Sequence, residues 1–513
     1  MVITDLIKRH GAAHFANVKY GYIVIFLSLI HIAYIYFSRR VYFKKWITTG
    51  RATSYKRLVS IPDTALLIAW AVIILALSWY HFKLEAVNSF IKRLGRIGYV
   101  LVTLDIFVSL KPNPLPNVYY LELIFLHKWL SRLLVLWTLG HSIGYTSVWI
   151  QSNTFSKVFR VLNFLGVIAM SLFLLSTIVS LKPIRRRFYK FFFTTHLIIA
   201  WLVVGLIHYH ARPGVALYTF LNASLFILQI AVKIWKSRDV VIDKKTASGS
   251  TLELITIPNY FINQFPAGSH VRISLPRANI LTYLLPSHPY TIASLPDETS
   301  IKLVVRKNNH NLKTHQIVSC FGPFPSIHEN FYKTAENVVL IAGGAGISYT
   351  LGLYQQLSRN SSIKISMIWI MRNKADTWIL DHFNIRAIDI YITGKSLTSD
   401  DPQDSSSITS PAAATTTSRF DDMDEDEQLL DNFSSDEYEM ETIDPFNEAT
   451  GAPKPNRTIK LGRPHMGSYS NLLTQDDKAN NWVVSCGSGT LNKDCKRWAE
   501  ALGVRYHYEA YDM

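Results

Sequence analysis

The chain has 513 residues, 49% of them hydrophobic and 13% aromatic, with a formal charge of +16. That balance excludes a wholly disordered chain, and three cysteines, all in the second half, exclude a disulfide scaffold. The charge is uneven: 16 of the 37 acidic residues fall between Asp400 and Glu448 against Arg419 alone, and the basic surplus elsewhere flanks apolar spans, where it orients helices, so no nucleic-acid partner is expected.

From the N-terminus, Met1 to Lys19 carries no signal-cleavage pattern, so the first apolar span, Tyr20 to Phe37, is expected to be a retained anchor. Six more spans follow, at about Pro62 to Tyr80, Ile97 to Leu110, Leu121 to His141, Val161 to Leu181, Tyr189 to His210 and Val215 to Trp235, each near the ~20 residues a lipid bilayer requires. The third is the weakest, because Asp105 interrupts it and Pro112, Pro114 and Pro116 close it. The predicted fold is a multi-pass α-helical membrane bundle of about seven spans followed by soluble domains. Basic clusters at Arg39 to Arg57 and at Lys182 to Lys190 put those loops, and the half after Lys233, on the cytosolic side of a plasma or endoplasmic reticulum membrane.

Two spans carry paired histidines. His127 and His141 are fourteen residues apart, roughly 3.9 turns, so both imidazoles leave one helix face about 21 Å apart. His196 and His210 repeat the interval, with His208 as an alternative to His210. Two helices with matched histidines can clamp two haem groups (heme b) by bis-imidazole ligation, His127 with His196 and His141 with His210 or His208. Ionisable groups in lipid are expensive, and a matched spacing on two spans is harder to excuse as bundle packing than one buried histidine.

After Trp235 the alternation of Leu252, Leu254, Thr256, then Val271, Ile273, Leu275 and Ile301, Leu303, Val305 predicts a small antiparallel β-barrel. Within it His288-Pro289-Tyr290-Thr291 offers an aromatic face and a hydroxyl to a planar ring, or is an ordinary strand. Val338 to Ala342 is an apolar strand entering the turn Gly343-Gly344-Ala345-Gly346, which lets backbone amides approach a pyrophosphate. The strand Ile363 to Met371 ends at Arg372, with Lys374 nearby, where cations suit the 2′-phosphate of NADPH. Residues 396–455 collapse to Ser, Thr, Asp and Glu and are expected to form a disordered acidic insertion whose protein partners the sequence does not name. Folding resumes toward a second glycine turn at Cys486-Gly487, and Tyr511 is the candidate aromatic to cover a flavin.

In this order the parts resemble the ferric reductase and NADPH oxidase superfamily, and most of all its short fungal metalloreductase-like members, over roughly Arg96 to Met513. The resemblance implies a cytosolic ferredoxin-reductase-like module of a β-barrel FAD domain and an α/β nucleotide-binding domain. It implies the organisation 1–95 anchor spans, 96–236 haem domain, 237–332 FAD barrel and 333–513 NADPH domain. It also implies FAD around His288, Pro289, Tyr290 and Thr291, NADPH on Gly343, Gly344, Gly346, Arg372, Cys486 and Gly487, and haem on the four histidines, with no catalytic residue beyond these. The expected activity is electron transfer from NADPH through FAD and two haems to ferric or cupric ion across the membrane. Superoxide production from dioxygen, or a redox-degenerate membrane scaffold, are the alternatives. Ser488 and Tyr349 stand where the family has proline.

Overall fold

Seven helices account for the seven apolar segments in the computed structural model, which describes residues 17–37, 52–80, 82, 86–115, 120–212, 214–259, 264–307, 312–327, 329–394, 457–474 and 480–510. They are α1 (Asn17–Phe37), α2 (Ala52–Trp79), α3 (Val87–Ser109), α4 (Tyr120–Gln151), α5 (Val161–Val179), α7 (Tyr189–Ala211) and α8 (Ala216–Lys236), with a short basic helix α6 (Lys182–Arg187) between α5 and α7. Five of these, α1, α4, α5, α7 and α8, are long and apolar enough to cross a membrane, and α2 contributes a shorter apolar stretch, Ala65–Trp79. Large apolar side chains face outward along them, among them Phe26, Leu136, Ile178, Leu202 and Phe220, as suits a surface wetted by lipid.

The third helix differs in kind. It begins at Val87, ten residues before the span read from sequence, and Gly98 to Val102 are buried consecutively, so α3 meets other helices on every side. Two of its arginines find protein partners. Arg93 donates to the carbonyls of Ser78 (3.1 Å) and Leu77 (3.3 Å) at the end of α2, and its guanidinium lies 4.1 Å from the centre of the Tyr20 ring. Arg96 donates to the Gly214 carbonyl at the start of α8. Small residues let neighbours close in: a Cβ on Gly98 would stand 2.7 Å from the Thr138 methyl, and one on Gly144 2.9 Å from Ile91.

Helix α8 runs directly into a barrel of two antiparallel sheets. One is ordered β1 (Ser237–Val241), β7 (Ile317–Phe324), β4 (His270–Ser274), β5 (His288–Thr291); the other β2 (Asp243–Thr246), β3 (Leu252–Pro258), β6 (Ser300–Arg306). A bridge from Ile292 to Leu303 links them, and Val240, Ile255, Val271, Tyr290, Leu303 and Cys320 pack between.

The last domain is a six-stranded parallel sheet. Its order is β11 (Arg457–Leu461), β10 (Ile388–Ile392), β9 (Lys364–Met371), β8 (Asn337–Gly343), β12 (Asn481–Gly487), β13 (Arg505–Ala510). From β8 the chain builds outward through β9 to β11, then returns to the other side of β8 with β12. Such a reversal opens a crevice at the carboxyl ends of the two central strands. The acidic stretch 396–455 leaves after β10 and re-enters at β11, the sheet edge, and itself lies outside the described residues.

Candidate functional site

Four histidines on α4 and α7 face one another in two tiers. The ring centres of His127 and His196 are 6.2 Å apart with the planes at 88°, and those of His141 and His210 are also 6.2 Å apart at 81°. His210, not His208, faces His141; His208 packs edge-on against Tyr209, and its buried Nδ1 has no hydrogen-bond partner among the described residues.

Each of the four paired rings is held at Nδ1 from an outer helix. His141 donates to the Ile91 carbonyl of α3 (2.7 Å) and His210 to the Leu162 carbonyl of α5 (2.7 Å). A carbonyl only accepts, so Nδ1 carries the proton in these two rings and Nε2 is left as the bare donor atom. His196 Nδ1 lies 2.9 Å from Ser176 Oγ on α5, and His127 Nδ1 lies 2.9 Å from a carboxylate oxygen of Asp105 on α3. Room for the outer rings comes from glycine: a Cβ on Gly95 would sit 2.7 Å from the His141 ring, and one on Gly166 2.5 Å from that of His210.

The lower tier is the one nearer the barrel. Thr194, two residues before His196, donates to the Leu284 carbonyl (3.1 Å), and Lys233 of α8 donates to Thr282 in the same barrel loop. Buried Arg272 of β4 donates to Ser287 Oγ (2.8 Å) and to its carbonyl, fixing the residue that leads from that loop into β5. On β5, Tyr290 and Thr291 are buried while His288 and Pro289 are half-buried.

The barrel strand and the glycine turn are bolted together. Ser348, in the first turn of the helix α9 (Ile347–Leu357), donates to the Thr291 carbonyl (2.7 Å). Tyr349 beside it is fully buried against Gly268 of the barrel. The aromatic at this departure from the family pattern therefore fills the seam between the two domains. Buried Asp376 adds a second bolt, accepting from Ser250 Oγ (2.8 Å) and from Thr251 N and Oγ1 (both 2.7 Å).

Gly343 ends β8 and Gly344 and Gly346 form the turn after it, while Cys486 and Gly487 end β12, so both turns meet at the crevice where the strand order reverses. A Cβ on Gly346 would stand 2.1 Å from the Cys486 carbonyl oxygen. Gly344 adopts φ +52°, and its carbonyl accepts from the indole of fully buried Trp369 (3.0 Å). Ser488, the other departure from the family pattern, is the N-cap of the following helix α10 (Gly489–Leu502), accepting from Leu491 N at 3.3 Å. Arg372 is exposed at the carboxyl end of β9, with Lys374 two residues on, also exposed. Tyr511 lies outside the described residues.

Pattern reading missed three groups at the domain seam. Ser326, just after β7, donates to Glu509 of β13 (3.2 Å) and lies 3.2 Å from His270 Nδ1 on β4. Burial pushes the Glu509 carboxyl up to about 7, against the Ser326 hydrogen bond, which lowers it. A raised carboxyl favours the neutral form in the fold. Its contribution is intact below the unfolded pKa of 4.5, is lost as pH climbs toward about 7, and stays lost above. Glu509→Gln is accordingly expected to leave the unfolding midpoint unchanged near pH 4.5 and to raise it at pH 8, by roughly 1–3 kcal/mol in stability. Thermal unfolding at both pH values checks this; an equal gap at both would show that Glu509 does not titrate between them.

Three family models match successive parts of the chain. A ferric reductase like transmembrane component matches residues 94–207, an FAD-binding domain residues 241–346 and a ferric reductase NAD binding domain residues 335–500. The last two overlap across β8 and its glycine turn. The chain is 35% identical to a probable metalloreductase AIM14 of Debaryomyces hansenii, over 99% of this chain and 98% of that one. Identity is 36% with the protein of that name from Scheffersomyces stipitis, over 100% and 98%, and 32% with that from Yarrowia lipolytica, over 99% of each. Among solved structures, a ferredoxin NADP+ reductase from Neisseria gonorrhoeae with bound FAD and NADP aligns with 54% of this chain and 98% of its own, at 10% identity and a TM-score of 0.34. With membrane, flavin and nicotinamide parts in one order and full-length relatives above 30% identity, the chain belongs to the fungal probable metalloreductase AIM14 family of membrane oxidoreductases.

Proposed function

We propose that the protein carries electrons across a membrane, from NADPH on the side of its C-terminal domains through FAD and two haems b to ferric or cupric ion on the other. The observation that carries this reading is the two-tier histidine ladder. Imidazole nitrogens bound to a metal at about 2 Å on each side would put ring centres about 6 Å apart, and both tiers measure 6.2 Å. All four rings point Nδ1 outward to a partner, the arrangement that orients imidazole ligands and raises their basicity. The tiers are therefore sized and oriented for two bis-imidazole haems, on His127 with His196 and on His141 with His210.

FAD, when bound, supplies the exchange between a two-electron hydride and single electrons that a haem cannot make. The residues arranged for it are His288 to Thr291, held against the nicotinamide domain by Ser348. Gly343, Gly344 and Gly346 give backbone access to the pyrophosphate, and the crevice at Cys486 and Gly487 takes the nicotinamide end. The contact of the lower histidine tier with the barrel, through Thr194 and Leu284, supports an electron path from that domain into the bundle. The basic α6 at the same end supports a cytosolic position for the C-terminal half. A metal acceptor follows the name of the relatives. A reduced-minus-oxidised spectrum of the purified chain, then NADPH-driven reduction of a ferric chelate with and without oxygen, tests the reading. A protein with no haem b, or one whose electrons go only to dioxygen as superoxide, would refute it in its first or last step.

The NADPH preference rests on Arg372 at the tip of β9, where the adenosine ribose lies in such sheets. Arg372→Ala is expected to raise the apparent KM for NADPH about tenfold, since a charge-assisted hydrogen bond contributes about 1.5–3 kcal/mol. NADH should be almost unaffected. Equal weakening of both nucleotides in steady-state assays would assign Arg372 to structure instead.

A further inference from the structure

Asp105 is an acid near the end of a buried apolar helix, where an unpaired charge is expensive and an ionisable group marks function. Its surroundings repeat elsewhere in the bundle, which isolates what it adds. On α3 the Ile91 carbonyl holds His141 and Asp105 holds His127; on α5 the Leu162 carbonyl holds His210 and Ser176 holds His196. Ile91 and Asp105 are fourteen residues apart, as are Leu162 and Ser176, the same interval that separates the histidines they serve. Both helix pairs thus run through an upper carbonyl, a lower side chain, a lower histidine and an upper histidine. The partners of the other three rings are neutral, and His127 has, besides the Asp105 carbonyl, the Asp105 carboxylate.

One oxygen of that carboxylate lies 2.9 Å from His127 Nδ1 as an ion-pair contact, beside the Asp105 carbonyl at 3.3 Å, and the other accepts from Ser131 Oγ (2.7 Å), one turn along α4 from His127. Its side chain is 13% exposed, so its field is little screened by solvent. A carboxylate on Nδ1 draws the ring proton toward itself and makes the opposite nitrogen a stronger electron donor. A nearby negative charge also favours the more positive oxidation state of a bound metal. Both effects act on the lower tier alone.

We propose that Asp105 sets the electron site nearer the flavin domain at a lower reduction potential than the outer one, making the outward electron step downhill. The inference rests on the two-haem reading above. In that step one electron leaves the lower site and the same electron arrives at the upper, with no atom or proton transferred. A purely structural role, pinning α3 to α4, would leave both potentials where they are.

Spectroelectrochemical titration of the purified full-length chain decides between the two. In Asp105→Asn the lower of the two midpoints is expected to rise by at least tenfold in its reduction equilibrium, about 59 mV for one electron, while the other stays put. The exchange variant Asp105→Ser with Ser176→Asp returns a carboxylate to the same tier through His196 and should restore the wild-type value. Two haems retained with both midpoints unmoved in Asp105→Asn would overturn the proposal. If Asp105→Asn sheds a haem, the exchange variant decides alone: a wild-type lower midpoint supports the assignment, and one raised by the same margin refutes it. Wild-type protein with no haem b is a different result, which removes the two-haem reading itself.

Discussion

His210→Ala is expected to remove one of the two proposed haems and to lower NADPH-driven reduction of a ferric chelate about 100-fold or more, whereas His208→Ala should leave both in place. The two residues are neighbours on one helix, and composition does not separate them. Geometry does. His210 faces His141 at 6.2 Å, donates Nδ1 to the Leu162 carbonyl at 2.7 Å, and occupies the space left by Gly166 on α5. His208 has none of these: its ring lies against Tyr209. Reduction of a soluble dye at the flavin should survive in His210→Ala, because the lower tier and the reductase domains are untouched. Pyridine haemochrome quantification and the low-spin absorption band give the readout. A His208→Ala protein with one haem, beside a His210→Ala protein with two, would reverse the assignment.

What the sequence could show here was set by range. Fourteen-residue spacing between histidines is a local periodic signal, and so is an apolar strand entering a glycine turn; both were legible. The partners that aim the histidines were less so, for two different reasons. Ile91 and Leu162 act through backbone carbonyls, which every residue has, so no choice of residue type marks them. Asp105 was visible, but as an interruption of an apolar span, because its meaning depends on His127 in the next helix. The burial of α3 reverses that reading: a helix surrounded by protein tolerates Arg93, Arg96 and Asp105 where a lipid-facing one would not. Ser488 and Tyr349 likewise look like losses in a motif and are a helix cap and a domain seam in space. Glu509 and Ser326, 183 residues apart, meet only because β13 closes the sheet beside β12.

Gly346→Ala is expected to abolish flavin reduction by the proposed NADPH, again by about 100-fold or more, while flavin and the proposed haems stay bound. The added methyl group would stand 2.1 Å from the Cys486 carbonyl oxygen and 2.8 Å from its carbon, backbone atoms that no rotamer change can move. Relief requires the turn after β8 to draw away from β12, and that contact is the floor of the crevice in which the nucleotide would lie. A misplacement of about 1 Å at such a site is enough to reduce transfer about 100-fold. Two neighbouring glycines separate this effect from simple loss of flexibility. Gly344 has φ +52° but no atom of the described residues within 4 Å of an added Cβ, so alanine there is strained by only about 1–2 kcal/mol. Gly489 has neither constraint, and alanine there should be silent. The expected order of flavin reduction rates in stopped flow is Gly489→Ala equal to wild type, Gly344→Ala intermediate and Gly346→Ala lowest. Unfolding midpoints measured on the same samples report whether each chain is folded. A folded Gly346→Ala protein turning over within twofold of wild type would mean that the crevice between β8 and β12 is not where the nicotinamide nucleotide binds.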